Sequence, residues 1–280
     1  MFLDLDPSII LFLLCLGFFA AFIDSVVGGG GLIMLPGLLF LGLPPTTALA
    51  TNKLAGSIGS FTSTMMFLRS GNIEFKKLSK VFPLVVLGSI LGAWTVHLID
   101  PELLKPLMLC MLAIVLVHTL VKKDFGSISA IKHLSIEKKI LYISSLVLIG
   151  FYDGFLGPGT GSFFIFAFLL VGYDFVRAAG NAKLLNFGSN IGALLLFIIL
   201  GYVNFTYGLI LGTAQIVGSI VGSRFAMKKG TTYVRYLFII VTVVLLVKNT
   251  YDYFNWIGFR KSKSDLGRCR FEIKFEQSTS

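Results

Sequence analysis

Charged residues are scarce in this chain, and acidic residues are the scarcest of them. Asp, Glu, Lys and Arg together make up only 14% of the 280 residues, against about a quarter in an ordinary soluble domain. Apolar residues reach 55%, and the mean hydropathy is +0.86. These values exclude an ordinary water-soluble domain and indicate a chain that lies in a lipid bilayer.

Cysteine is rarer still, with three residues in the whole chain. Cys15 and Cys110 lie inside apolar runs and Cys269 lies near the C-terminus, so they form neither a disulfide framework nor a metal-ligand spacing. The glycine-rich stretches contain no GxGxxG and no GxxxxGK[ST] motif, which excludes a nucleotide-binding fingerprint. We therefore expect no metal ion and no cofactor.

The formal net charge of +10 would also suit a nucleic-acid-binding protein. The Lys and Arg residues, however, lie in short loops between apolar runs, where they orient helices in the membrane. We therefore expect the bilayer as a partner and no nucleic acid. The start, MFLDLDPS, carries acidic residues and no small-residue cleavage site follows its apolar run, so we interpret the first helix as retained.

The apolar runs are long and do not alternate, which predicts an all-α polytopic membrane protein and excludes a β-barrel. Two runs, 32–43 and 161–173, hold only about a dozen residues, too few to span a hydrocarbon core of about 30 Å. We interpret these two as broken or re-entrant half-helices. The predicted helical segments are 9–27, 32–43, 46–68, 81–99, 103–121, 140–156, 161–173, 175–200, 205–223 and 233–256.

The two halves of the chain repeat one another at an offset of 129 to 130 residues. Chance similarity between apolar runs would not place an Asp, a glycine-rich turn, a Lys and a GSxxG motif in one order at one spacing. The matched features are FIDSVVGGGG (22–31) with FYDGFLGPGT (151–160), Asp24 with Asp153, Lys53 with Lys183, and GSILG (88–92) with GSIVG (218–222).

Loop charge indicates that one half is inverted relative to the other. The loop at 69–80 carries four basic residues and its repeat counterpart at 201–207 carries none, whereas the loop at 223–235 carries four and its counterpart at 100–105 is mixed. Because basic loops stay in the cytoplasm, matched loops are expected on opposite sides of the membrane. We predict that the loops at 69–80, 122–139 and 223–235 are cytoplasmic and that both termini face outward.

These features divide the chain into four parts. A first membrane repeat covers 1–121, a basic cytoplasmic linker 122–139, and a second membrane repeat 140–258. Each repeat is expected to hold about five helical segments. The tail at 259–280 is polar and unpatterned, and we interpret it as a disordered or non-native end.

Four charged residues lie inside the predicted apolar segments: Asp24, Lys53, Asp153 and Lys183. A charge at the membrane centre costs about 2.5 to 3.5 kcal/mol even on the lenient insertion scale, so each one needs compensation. Two interpretations stay open. Either each Asp pairs with a Lys and ties helices together, or the two Lys face a shared polar cavity and attract an anion. Because a shielded carboxylate can take up a proton during transport, Asp24 and Asp153 are also candidates for proton coupling.

The glycine-rich stretches at 28–31 and 157–161 each precede a predicted half-helix. Glycine allows positive φ, so successive N–H groups can point into one concavity, to which the following helix adds its positive dipole end. Such a stretch forms an anion cradle or simply allows close helix packing. Amide side chains near the two lysines can likewise bind a small oxyanion or a neighbouring helix.

This doubled pattern resembles one known family. A glycine-rich break followed by ATNKL at 50–54, then GPGTGSFF at 157–164 followed by GNAKLLNFGSN at 180–190, is similar to the TauE/SafE family of sulfite exporters, also called TSUP permeases. Members of that family are bacterial inner-membrane carriers associated with sulfite, thiosulfate, sulfonates and related organosulfur anions. The resemblance implies substrate binding by Gly28, Gly29, Gly30, Gly31, Asn52, Lys53, Gly157, Gly159, Thr160, Gly161, Asn181, Lys183, Asn186 and Asn190.

The resemblance further implies a secondary transporter of a small sulfur-containing anion, driven by the proton motive force, with alternating access around a midplane site. A passive small-anion channel and a carrier of a different small organic anion are the alternatives. An enzyme is not expected, because no nucleophile and base pair and no metal cluster can be recognised. The expected partners are the anion, protons and the lipid bilayer, and the formation of a homo-oligomer stays open.

Overall fold

A computed structural model describes residues 6–100, 103, 106–107 and 135–229 of the chain. Every regular element in this part is an α-helix, which confirms the predicted all-α fold. The predicted segments at 103–121 and 233–256, most of the linker and the tail lie outside the described residues. The helices are α1 (Pro7–Val27), α2 (Gly30–Phe40), α3 (Pro45–Arg69), α4 (Phe75–Leu78), α5 (Phe82–His97), α6 (Ile136–Phe155), α7 (Thr160–Leu170), α8 (Phe175–Ile199) and α9 (Phe205–Lys229).

The helices turn apolar side chains outward and bury polar ones. Leu91, Leu148 and Ile199 are 60%, 67% and 81% exposed, whereas Asn181 and Lys183 are fully buried. Among the described helices, α1, α8 and α9 are long and apolar enough to cross a membrane. An outward apolar surface around a polar interior is what a protein needs when its solvent is lipid.

The two predicted half-helices are present as α2 and α7, each 11 residues long. At 1.5 Å per residue each is about 16 Å long, roughly half of the hydrocarbon core. Each follows a glycine-rich break and ends in a turn that contains a glycine at positive φ, Gly42 or Gly172. Each half of the chain therefore runs as a long helix, a break, a half-helix, a turn and a second long helix.

Two helix boundaries differ from the prediction by more than three residues, and one short helix was not predicted. α6 begins at Ile136, before the predicted start at 140, and α9 continues to Lys229, beyond the predicted end at 223. The predicted end of α9 was placed where the apolar run stops. The residues that follow it include Arg, Ala, Met and Lys, which have high helix propensity, so the helix continues into this polar stretch. The loop at 69–80 also contains one short helix, α4.

The GSxxG helix of each half packs against the first helix of the other half. α5 packs on α6, and α9 packs on α1. A Cβ atom on Gly88 would lie 2.7 Å from the carbonyl oxygen of Val147, and one on Gly218 would collide with the carbonyl oxygen of Phe18. Such close backbone approach is what small residues allow between membrane helices, so these motifs serve helix packing.

Several hydrogen bonds between the halves occur in reciprocal pairs, in which repeat-matched residues exchange roles. A two-fold relation between the halves produces this kind of exchange, so the contacts support the internal repeat. The inversion of one half across the membrane stays a prediction. The pairs are Ser89 Oγ to the Ser189 carbonyl (2.5 Å) with Ser219 Oγ to the Gly59 carbonyl (2.9 Å), and Glu74 N–H to Asn181 Oδ1 (2.9 Å) with Asn204 N–H to Thr51 Oγ1 (3.1 Å).

Candidate functional site

The two glycine-rich breaks touch each other. The backbone N–H of Ser162 donates to the carbonyl oxygen of Gly28 at 2.9 Å, and its hydroxyl donates to the carbonyl oxygen of Val27 at 2.6 Å. Gly28 has a φ of +81°, and a Cβ atom there would collide with the backbone of Gly161. Only glycine meets both requirements. The contact brings the N-terminal turns of α2 and α7 together.

A small cavity of about 30 Å³ lies where the breaks meet. This volume has room for about two water molecules. Ten of its lining residues are among those that the sequence singled out: Asp24, Gly28, Gly30, Gly31, Asn52, Asp153, Gly157, Gly161, Asn186 and Asn190. Ala20, Ala21, Gly56 and Gln215 complete the lining.

Lys53 and Lys183 do not line this cavity, because each pairs with an aspartate of the other half. Lys53 Nζ lies 2.9 Å from Asp153 Oδ1, and Lys183 Nζ lies 2.6 Å from Asp24 Oδ2. The lysine side chains are only 1% and 0% exposed. A buried ammonium group needs a counter-charge nearby, and the aspartates supply it. The sequence left two interpretations open, and the structure contains the Asp–Lys pairs that the first of them describes.

The two aspartates differ in their access to solvent. The Asp24 side chain is 22% exposed and accepts a hydrogen bond from the Gly30 N–H at 3.0 Å. The Asp153 side chain is 3% exposed and accepts a hydrogen bond from Ser189 Oγ at 2.5 Å. Repeat-matched carboxylates are therefore unequal, and Asp24 is the more accessible of the two.

The lysines differ as well. Lys183 Nζ donates a hydrogen bond to Asp24, whereas Lys53 Nζ lies off the hydrogen-bonding direction of Asp153 and has no hydrogen-bond partner within the described part of the chain. A Cβ atom on Gly157 would lie 2.9 Å from Lys53 Nζ, so this ammonium group lies beside the second break. Lys53 thus holds unused N–H groups next to the cavity.

Three amide side chains line the cavity without a hydrogen-bond partner among the described residues: those of Asn52, Asn186 and Gln215. A fourth, Asn190, donates from Nδ2 to the Asn186 carbonyl oxygen at 2.7 Å. Each amide offers both donors and an acceptor. These groups can therefore orient the oxygen atoms of a small ligand without adding charge.

Besides the two lysines, four predicted site residues lie outside the cavity lining. Asn181 accepts the hydrogen bond from the Glu74 N–H and fixes the loop before α4 to α8. The Thr160 hydroxyl donates to the carbonyl oxygen three residues earlier, at 2.8 Å. Gly29 and Gly159 are the N-cap residues of α2 and α7. These four shape the breaks and the bundle and do not line the cavity.

Gly56 was missed by the sequence analysis, and Gln215 was not among the residues predicted to bind substrate. Gly56 is the repeat counterpart of Asn186, because the two positions are 130 residues apart, so consistent use of the repeat would have found it. Gln215 has Val85 as its counterpart, and only its polarity inside an apolar helix marks it.

The formal charges of the site cancel, since two aspartates face two lysines. The N-termini of α2 and α7 add two positive dipole ends, each equivalent to about half a charge. In the described part of the chain, no group of three or more His, Cys, Asp or Glu side chains could hold a metal ion. The site therefore combines neutral amides, balanced ion pairs and helix N-termini.

Comparison with known proteins supplies the family. The sequence model of the family described as sulfite exporter TauE/SafE matches residues 13–249. Over 246 residues the chain is 37% identical to "Probable membrane transporter protein ORF9" of Sinorhizobium sp, covering 88% of this chain and 94% of that protein. No solved structure matches the chain.

Two further relatives agree. A "Probable membrane transporter protein" of Haemophilus influenzae is 34% identical over 258 residues, covering 92% of this chain and 100% of that protein. "Probable membrane transporter protein YfcA" of Escherichia coli K12 is 34% identical over 264 residues, covering 90% and 96%. The glycine-rich breaks and both ion pairs lie inside the matched region. The chain therefore belongs to the sulfite exporter TauE/SafE family of membrane transporters.

Proposed function

We propose that the protein is a secondary transporter that carries a small sulfur-containing anion, such as sulfite, thiosulfate or a sulfonate, across the bacterial inner membrane. Transport proceeds by alternating access around the cavity at the two breaks and is coupled to the proton motive force. The observation that carries this proposal is the cavity itself, in which the first turns of two half-helices meet amide side chains that have no hydrogen-bond partner among the described residues.

The chemistry of the cavity suits an oxyanion. Backbone N–H groups and the positive dipole ends of two helices attract negative charge. They bind an anion less tightly than a cluster of arginine side chains would. The amides of Asn52, Asn186 and Gln215 can donate to sulfonyl or sulfite oxygens. A carrier must also release its cargo, and fixed dipoles with neutral amides favour moderate affinity.

The size of the cavity favours a carrier over a channel. A volume of about 30 Å³ is smaller than an anion of four heavy atoms requires, because it holds about two water molecules. We therefore expect the cavity to widen when the anion binds. The reciprocal contacts between the halves support this proposal, because an exchange of roles between repeat-matched contacts would give a second, similar arrangement that opens toward the other side of the membrane.

The experiment that tests the proposal is transport into proteoliposomes that hold the purified full-length protein. Uptake and efflux of labelled sulfite, thiosulfate, taurine and sulfoacetate are followed with and without an imposed pH gradient, and protein-free vesicles serve as the control. We expect at least one of these compounds to accumulate above its outside concentration when the gradient is present. If the compounds only equilibrate across the vesicle membrane, to the same extent with and without the pH gradient, the protein is a passive channel instead.

A further inference from the structure

Both carboxylates that line the cavity face an arriving anion, while their lysine partners lie behind them. Asp24 and Asp153 belong to the lining, and the ammonium groups of Lys183 and Lys53 do not. The two ion pairs are neutral overall, but with both carboxylates ionised their oxygens are the charged groups nearest to an anion in the cavity, and like charges repel. Protonation of one of these carboxylates would remove its negative charge and so favour binding of an anion.

Protonation of Asp24 removes that charge and has a second effect. Lys183 is fully buried, and Asp24 is the counter-charge to which it donates a hydrogen bond. Once Asp24 is neutral, the Lys183 ammonium is left without compensation, which is costly in a buried site. An anion that enters the cavity can supply the missing negative charge. Proton and anion would then stabilise each other at one site.

The equivalent pair in the other half is less suited to this role. Asp153 is 3% exposed, pairs with Lys53 and accepts a hydrogen bond from the Ser189 hydroxyl, so it has little contact with solvent. Asp24 also has two partners, Lys183 and the N–H of Gly30, but its side chain is 22% exposed. The difference in solvent access separates two residues that the repeat makes formally equivalent.

In the described part of the chain, the titratable side chains at the cavity other than Asp24 are Asp153 and the two lysines. α8 contributes Lys183, and the cavity also holds Asp153 with Lys53 behind it. α2 and α7 contain no titratable side chain, and α9 presents the neutral Gln215 to the cavity. The charge state of this side of the cavity thus depends on Asp24 and Lys183.

We propose that Asp24 and Lys183 form the switch that binds one proton together with one anion, whereas Asp153 and Lys53 form a permanent strut. This proposal rests on the proposed function and specifies its coupling: proton and anion move in the same direction, as a symport. Asp24 takes the proton, and the freed Lys183 ammonium, with the helix N-termini, holds the anion.

The test measures anion binding to the purified full-length protein in nanodiscs at acidic and at mildly alkaline pH. The probes are thiosulfate, methanesulfonate and, as an anion without sulfur, trifluoroacetate, whose charges do not change over this range. We expect the wild type to bind tenfold or more tightly at the acidic pH. Asp24→Asn should bind at both pH values with the acidic wild-type affinity, because its Lys183 is permanently uncompensated.

The comparison variant is Asp153→Asn, the same substitution at the repeat-equivalent position. It leaves Lys53 without its counter-charge and can change the affinity at both pH values, but the pH dependence should remain because Asp24 and Lys183 are unchanged. The double variant Asp24→Asn with Lys183→Met should bind at least tenfold more weakly than Asp24→Asn at both pH values. Persistence of the full pH dependence in Asp24→Asn would overturn the switch. So would a pH dependence that disappears only in Asp153→Asn.

A second measurement needs no variant. In weakly buffered nanodiscs, binding of thiosulfate by the wild type should take up close to one proton per anion, and binding without proton uptake would overturn the proposal. The two proposals fail separately. Binding of the sulfur anions that does not depend on pH would leave the proposed substrate class and remove the switch. Binding of trifluoroacetate alone, with the expected pH dependence, would leave the switch and remove the substrate class. Absence of any binding would remove both.

Discussion

Asn181 accepts a hydrogen bond from the backbone N–H of Glu74 at 2.9 Å and so joins α8 to the loop that follows α3. Its repeat counterpart, Thr51, accepts the N–H of Asn204 at 3.1 Å and joins α3 to the loop that precedes α9. A side chain that the family resemblance implied as an anion ligand therefore acts as a tie between the halves.

Asn181→Ala should lower stability and leave anion affinity unchanged. It removes one partner of a buried hydrogen bond, which contributes about 0.5 to 1.5 kcal/mol, and leaves the Glu74 N–H without its acceptor. Asn186→Ala, five residues along the same helix, should lower anion affinity and leave stability unchanged, because the Asn186 amide lines the cavity. Thermal unfolding and thiosulfate binding of both variants check this. Equal loss of affinity in the two would contradict the assignment.

Gly28→Ala should be far more destabilising than Gly42→Ala. Both glycines have nearly the same φ, +81° and +82°, so both substitutions carry the cost of a left-handed alanine, about 1 to 2 kcal/mol. A Cβ atom at Gly42 meets nothing within 4 Å, whereas one at Gly28 collides with Gly161 and Ser162. The difference in unfolding midpoint between the variants measures the contact of the two breaks. Similar midpoints would show that the contact contributes little.

Phe75 and Phe205 provide a matched test of the inverted topology. They are 130 residues apart, each is the first residue of its helix, and they are 54% and 51% exposed. In a background without Cys15, Cys110 and Cys269, Phe205→Cys should react with an impermeant thiol reagent in intact cells. Phe75→Cys should react only after permeabilisation. Reaction of both from the same side would exclude the inversion.

Lys53→Met should destabilise the protein strongly, because it leaves Asp153 as an unpaired charge that is only 3% exposed. Removal of one partner of a buried ion pair costs about 3 to 5 kcal/mol. The double variant Lys53→Met with Asp153→Asn should recover much of this loss. Unfolding in denaturant, measured for the two single variants and the double variant, gives the coupling energy. Additive losses would show that the pair is not coupled.

Glu74 should stabilise the fold at neutral pH and lose this effect in acid. Partial burial raises the pKa of its carboxyl, but hydrogen bonds from Lys77 and Tyr173, with the charges of Lys77 and Arg177, outweigh it and hold the pKa below the ordinary value of 4.5. A carboxyl with a lowered folded-state pKa stabilises the folded protein above its unfolded-state pKa, and this stabilisation is lost as the pH falls through the folded-state pKa.

Glu74→Gln should therefore unfold at a lower temperature than the wild type at neutral pH, with a difference that shrinks once the pH falls below 4.5. Thermal unfolding of both proteins across this range checks the sign. A difference that is constant with pH would indicate that the ionised carboxyl is not what stabilises the loop.

Much of the architecture could be predicted from the amino-acid sequence. Low charge and long apolar runs require helices in lipid, because an unpaired backbone group in the bilayer is too costly. The two 11-residue helices follow from apolar runs too short to span. The internal repeat identified the breaks, the charged residues and the GSxxG motifs, because these features keep their order and spacing.

The pairing of the charged residues was decided only by the tertiary structure. Intramembrane Asp and Lys residues require counter-charges, but the repeat alone does not say whether Lys53 finds Asp24 or Asp153. The crossed packing of the halves selects Asp153 for Lys53 and Asp24 for Lys183. The same packing separates Asn181 from the cavity and adds Gln215 to it. Helical periodicity determines which face a side chain occupies, whereas the neighbouring helices determine what that face meets.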